Sequence, residues 1–206
     1  MSIIKLNNQG VKNATAFGSI NVLGSMVFIK KLTASSSANL SFVDGSSSVV
    51  LDNTYKEYLF TFNNIHPSND SVYFQFNMST DGGSNYNVAK TSTAIYAYHR
   101  ENDADNRLLY GDTYDLAQST GFQYLSDDLG SDNDQSCSGT LQIFNPSSDT
   151  YVKHFISNTN TAQVIDYSIN NLNAGYGNTT SPVNAIKFQM TSGNIDAGDI
   201  CLYGIA

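Results

Sequence analysis

Residues 72–78 read VYFQFNM, and the assignment of this stretch decides the fold. Val72, Phe74, Phe76 and Met78 fall on one side of a two-residue period, and Gln75 and Asn77 fall on the other. Strict alternation of this kind marks a half-buried β-strand, with one face to a core and one to water. Working outward, YKEYLFTF (55–62) sets Tyr58, Phe60 and Phe62 against Glu57 and Thr61, and AIKFQM (185–190) sets Ile186, Phe188 and Met190 against Lys187 and Gln189. Less regular runs at 26–32, 38–43, 93–99, 140–144, 151–156, 162–169 and 199–205 bring the expected total to about ten strands. The joins VDGSSS, NNIHPSND, NPSSD, NNLNAGYGNTT and TSGNIDAG are rich in turn formers. Apolar spacing of 3.6 residues is nowhere sustained, and YDLAQST (114–120) offers at most one helical turn. The chain is therefore expected to be all-β: a single antiparallel β-sandwich, jelly-roll-like, with long decorated loops.

The segment STDGGSNYN (79–87) follows VYFQFNM directly. Gly82 and Gly83 accept positive φ at little steric cost, so the segment is expected to be a hairpin turn. A calcium loop wants several spaced oxygen ligands with a following carboxylate, and here Asp81 alone is anionic with no carboxylate in the next ten residues.

Two regions break the strand rhythm. Residues 1–25 are rich in Asn, Gly and Ser and are expected to form an N-terminal arm that anchors on a neighbour, ahead of a sandwich domain over 26–206. Residues 100–136 carry the densest charge, in RENDADNR and SDDLGSDNDQS, and are expected to be a long functional or interfacial loop.

The formal net charge of −8 argues against nucleic acid or an anionic membrane as a partner, because both require a basic footprint. No apolar run approaches the roughly 18 residues of a membrane-spanning helix, so membrane insertion is not expected. The opening MSIIKLNNQGVKN lacks the apolar core and small-residue cleavage site of a signal peptide. Export by virion assembly and lysis is then expected rather than secretion.

Candidate site residues fall into four groups. Tyr96, Tyr98, Tyr110, Tyr114 and Tyr124, with Tyr176, are candidate stacking platforms for sugar rings, and equally candidates for interface packing. Asp127, Asp128, Asp132 and Asp134, with Asn133, form an acidic run with oxygen ligands for Ca²⁺, matching no defined loop; a solvated loop tip is the plainer expectation. Asp103 and Asp105 are read the same way, and nothing selects a catalytic carboxylate pair. His66, His99 and His154 are scattered without zinc-site spacing. Cys137 and Cys201 permit one disulfide or two buried free thiols. No nucleophile elbow, phosphate loop or redox motif is present, so neither a catalytic residue nor a cofactor is expected.

Three stretches carry a resemblance. IIKLNNQGVKN near the start, YKEYLFTFNNIHPSNDSVYFQFNMSTDGGSNYN in the middle and MTSGNIDAGDICLYGIA at the end together resemble β-rich virion proteins of tailed bacteriophages, especially of marine hosts, of the tail-fibre and head-decoration type. The resemblance implies a jelly-roll-like sandwich, oligomeric and most often trimeric, without enzymatic activity, whose partners are other capsid or tail proteins. Two other functions stay open: a carbohydrate-binding adhesin that uses the 96–135 tyrosines, and a glycan-depolymerising enzyme that uses two loop carboxylates.

Overall fold

The computed structural model describes residues 25–205. The expected arm therefore lies outside the described residues, Ser25 apart. Twelve strands are present: β1 (Met26–Thr33), β2 (Leu40–Val43), β3 (Glu57–Pro67), β4 (Phe74–Ser79), β5 (Lys90–Arg100), β6 (Asn106–Tyr110), β7 (Gln123–Tyr124), β8 (Cys137–Phe144), β9 (Lys153–Ala162), β10 (Tyr167–Gly177), β11 (Ala185–Met190) and β12 (Ile195–Ile205). Among the described residues there is no helix, and YDLAQST forms only a short turn before Ser92 and Thr91 hold its backbone.

All pairings between strands are antiparallel. One sheet runs β1-β12-β3-β8-β9-β10-β5-β6, and the other runs β2-β11-β4-β7. The pairs β1/β12, β2/β11, β3/β8 and β4/β7 alternate between the two sheets, as if one long antiparallel ribbon had been wound around a core. The hairpins β5–β6 and β9–β10 interrupt that ribbon and widen the larger sheet on one side.

The sheets meet face to face through phenylalanines. Phe188 on β11 touches Phe42, Phe60, Phe62, Phe74 and Phe76, with ring centroids 5.2–6.4 Å apart. All six rings are buried. Most of these contacts are edge-to-face, the arrangement the ring quadrupoles favour. The alternation in β3 and β11 places these rings inward as expected.

β4 departs from expectation. Phe74, Phe76 and Met78 face the core, but Gln75, Asn77 and Ser79 are buried as well. Asn77 Nδ2 donates to the carbonyls of Tyr86 and Thr120, so two connecting segments cover the face that was expected to meet water.

The Asp-Gly-Gly segment is also not a hairpin. β4 pairs with β11 and β7, and β5 pairs with β10 and β6, so residues 80–89 carry the chain from one sheet to the other. Gly82 and Gly83 take positive φ, at 71° and 85°. Asp81 organises the loop through protein donors: it accepts from the Asn85 backbone N–H and side chain and from Ser79 Oγ at 2.7–2.8 Å. Those donors hold its carboxyl down at about 2.

The segment NNLNAGYG, expected as a turn-forming join, is strand, and so is SNTNTA, which lies between two of the expected runs. In β9 the inward positions are Lys153, Phe155, Ser157, Thr159 and Thr161, and in β10 they include Asn171 and Asn173. Lys90 on β5 and Lys153 on β9 both pair with Gly177 on β10, so two fully buried lysines stand in one cross-strand row. Each amine is satisfied by oxygens rather than by a carboxylate. Lys90 Nζ donates to Asn77 Oδ1 at 2.5 Å and to the Val88 carbonyl, and Lys153 Nζ donates to the carbonyls of Tyr151 and Thr179. Burial lowers both amines, Lys90 to about 7.

Cys137 and Cys201 are free. Cys137 faces the core from β8, whereas Cys201 pairs with Thr61 and Lys31 on the opposite face of the same sheet. The sheet itself stands between the two sulfurs, which rules out the bridge.

Candidate functional site

The widened side of the large sheet extends past the smaller sheet, and a cleft opens under its far end. Period-two geometry decides which side chains reach it. On β5, Tyr96 and Tyr98 point inward beside the buried Ser92 and Ala94, while Ile95 and Ala97 point out. On β10, Tyr167 and Ile169 share that inward face, and Tyr98 pairs directly with Ile169. With Asp127, Gln163 and Ile165 these residues line a cleft of about 230 Å³.

The rings form a connected set. Tyr96 and Tyr98 stack with planes 23° apart and centroids at 6.2 Å, and Tyr98 meets Tyr167 edge-on at 5.3 Å. Tyr114 meets Tyr96 edge-on, and Tyr73 stacks on Tyr124 at 4.8 Å beside it. Arg100 lies over the Tyr167 ring at 5.3 Å, a cation–π arrangement at the rim.

Asp127 is the carboxylate of the cleft. It is buried, and burial pushes its carboxyl above the ordinary value, opposed by the Tyr114 hydroxyl that donates to it at 2.7 Å. Burial and nearby aspartates also raise the phenols of Tyr96, Tyr98 and Tyr114, so these remain O–H donors at neutral pH. The Tyr98 and Tyr114 hydroxyls already donate to Asp105 and Asp127, so the cleft presents aromatic surface, the Tyr96 hydroxyl as a donor and the Asp127 carboxyl as an acceptor. That combination suits a polyhydroxylated ring, whose C–H face packs on an aromatic and whose hydroxyls bond at its edge.

Of the expected tyrosines, Tyr96, Tyr98, Tyr114 and Tyr124 gather here. Tyr110 and Tyr176 do not. Tyr110 lies on β6 opposite Ile95, on the outer face, and donates to Asp115. Tyr176 pairs with Thr91 on that same outer face and packs near His154. Tyr73, Gln163, Ile165 and Tyr167 complete the set and were not expected from sequence; Tyr73 is the off-phase aromatic of VYFQFNM, its one available signal.

The acidic run does not converge on a cation. Asp127 bonds Tyr114, Asp128 accepts from Gln163 at 3.3 Å, and Asp132 caps a separate exposed turn closed by Gln135. Asp134 lines a different polar hollow, with His66, Asn133 and Asp196. Among the described residues, no group of three or more His, Cys, Asp or Glu side chains is placed to hold a metal ion. The histidines lie apart: His66 bonds the Gln135 carbonyl, His99 bonds Asp103, and His154 stands beside Tyr176. Asp105 accepts from Tyr98 and sits 3.6 Å from Arg107. The region 100–136 is not one loop, since it contributes β6 and β7 to opposite sheets.

Comparisons of the chain with protein-family models, with curated proteins and with solved structures find no match.

Proposed function

We propose that this chain is a structural module of a tailed-phage virion, a jelly roll that decorates the capsid or forms part of a tail appendage. The observation that carries the proposal is the strand order. Eight strands paired β1/β12, β2/β11, β3/β8 and β4/β7, alternating between two sheets, support the jelly-roll reading, in which two inserted hairpins widen one of the sheets. Such a module supplies a rigid body from its phenylalanine core and presents inserted elements at its surface. The sequence resemblance adds the particle as its setting, self-association into a trimer as its assembly, and other capsid or tail proteins as its partners, with no catalytic role. The test is antibody labelling of intact particles. Dense, symmetric label on heads or label restricted to tails supports the proposal and assigns the location; particles without label overturn it.

The tyrosine cleft favours a second function, glycan recognition by an adhesin. Stacked Tyr96 and Tyr98, with Tyr167 and Asp127, are the observation behind it. Binding to a panel of surface glycans that is abolished by Tyr98→Ala and Tyr167→Ala would support it. Equal binding by those variants, or none by the wild type, would remove it. A glycan-cleaving enzyme would need two opposed carboxylates, and among the described residues Asp127 is the one carboxylate that lines this cleft.

A further inference from the structure

Among the described residues, the outward strand positions of the widened sheet hold no charged side chain. Outward positions on β8 are Ser138, Thr140, Gln142 and Phe144, and on β9 they are His154, Ile156, Asn158 and Asn160. On β10, β5 and β6 they run through Asn170, Leu172, Ala174 and Tyr176, then Thr91, Thr93, Ile95, Ala97 and His99, then Asn106, Leu108 and Tyr110. None is Asp, Glu, Lys or Arg. Charge stands at the margins of this area: Asp103 bonds His99, Asp115 accepts from Tyr110, Glu57 accepts from Gln142, and the Lys31–Asp199 pair lies beyond on β1 and β12.

This neutral face also exposes large apolar side chains. Ile95, Ile156 and Leu172 are 42–45% exposed and Leu108 is 72% exposed. Ile95 stands directly between Tyr110 and Leu172 across the strands, so the exposure is contiguous rather than scattered. Beside these projections lies an apolar groove of about 470 Å³, lined by Phe144, His154, Ile156, Tyr176, Thr91 and Thr93.

We propose that this face is a self-association surface and that its occupant is a second copy of this chain. Three observations select a copy over another partner. A chain of net charge −8 repels its own copies everywhere except over a neutral area, and this is such an area. A partner recognised by charge would find carboxylates at the margins, on His99, Tyr110 and Gln142, and none on the strand positions between them among the described residues. The surface also carries both projections and a groove, so one copy's Leu172, Ile95 and Leu108 can fill the groove of the next, as symmetric assembly requires. Five strands about 4.8 Å apart and roughly nine residues long span on the order of 700 Å², close to the ~800 Å² per partner of a stable interface. This inference rests on the oligomeric module proposed above and names its contact.

The experiment is sedimentation velocity on the chain from about 1 to about 100 µM, with Leu172→Glu, Ile95→Lys and the control Phe28→Glu. Phe28 is an apolar residue at least as exposed as these, at the far edge of the sheet, on β1. The wild type and Phe28→Glu are expected to sediment as a dimer or trimer. Leu172→Glu and Ile95→Lys are expected to weaken association by about 100-fold, because each buries an unpaired charge. Two opposite-signed substitutions, each checked by far-ultraviolet circular dichroism and melting, separate loss of association from loss of fold. A monomer at every concentration, or association unchanged by both substitutions or weakened equally by Phe28→Glu, would overturn the inference. Particle labelling reads the virion proposal independently: a monomeric chain that still labels particles defeats only the interface, and an oligomer that labels none defeats only the setting.

Discussion

Across β12, β3 and β8 the inward positions of the large sheet carry Ile200, Leu202, Phe60, Phe62, Leu141 and Ile143. Across β9, β10 and β5 the same face carries Ser157, Thr159, Thr161, Asn171, Asn173, Ser92 and the two lysines. Both sets are buried in one continuous sheet, and they are held in different ways. The first is stabilised by area removed from water, a non-directional force that tolerates small shifts. The second is held bond by bond: Ser92 Oγ to Gln123, Asn173 to Ser157, and Thr159 to the carbonyl of Leu125. Each missing partner there leaves a buried polar group unsatisfied. Asn171 Nδ2 and Thr161 Oγ1 already lack one among the described residues. An antiparallel sheet of this two-sheet fold can thus be widened by strands that contribute little to its apolar core, provided that their polar interior is almost fully paired.

The sharpest way to break this contrast is at its apolar pole. Phe188→Ala removes the ring that five other phenylalanines share, and a loss of about 3–5 kcal/mol is expected in denaturant unfolding. A loss below 1 kcal/mol would mean that the two halves do not differ as described. At the polar pole the largest effect depends on pH. The folded Lys90 amine titrates at about 7 against an ordinary 10.5, so above pH 7 the unfolded chain holds a proton that the folded chain has released. Stability therefore rises with pH across that window, and the cost of the buried charge is present in full below it. Between pH 7 and 9 the wild type is expected to gain about 2 kcal/mol relative to Lys90→Met. Parallel pH profiles for the two proteins would show that the amine is not held in a dry site.

Tyr114→Phe sharpens the comparison at the cleft. It removes the hydroxyl donor to a buried carboxylate and is expected to cost about 1–2 kcal/mol at neutral pH. It also raises the Asp127 carboxyl further, readable by carboxyl carbon NMR; an unmoved Asp127 titration would contradict the bond. The smallest effect is expected at Asp81, on the exposed crossing between the sheets. Its carboxyl is held at about 2 against an ordinary 3.8, so its contribution is present above 3.8 and is lost as pH falls through 2. Melting curves of the wild type and Asp81→Asn are expected to converge in that interval, and a gap that persists below pH 2 would point to a role for the loop beyond the charge.

The same contrast explains what could be read in advance. β3, β4 and β11 were legible because apolar and polar residues alternate in them, and that alternation reports a core on one side. The second halves of β9 and β10 were not, because Ser, Thr and Asn occupy both faces and the period vanishes; the composition of a turn hid two strands. Asp81-Gly82-Gly83 was legible as a place where the backbone reverses sign, yet a turn signature does not name the partner strand. The tyrosines were legible as a group, and four of the six meet. Tyr110 separates because RLLY lies in a charged region that reads as loop, and only its pairing with Ile95 sends it to the other face. Tyr167 enters from a strand almost seventy positions away, a convergence that no local pattern encodes.

β12 lies between β1 and β3. During synthesis, β1 and β3 emerge early, yet the strand that bridges them emerges only after β11. At roughly 5–20 residues per second, that gap in the sheet stays open for on the order of ten seconds. The hairpin β9–β10, closed by the short Gln163–Asp166 turn, has its partner at hand throughout. On the ribosome, then, the late-looking addition is expected to be ordered first, while the phenylalanine core waits for its final strand.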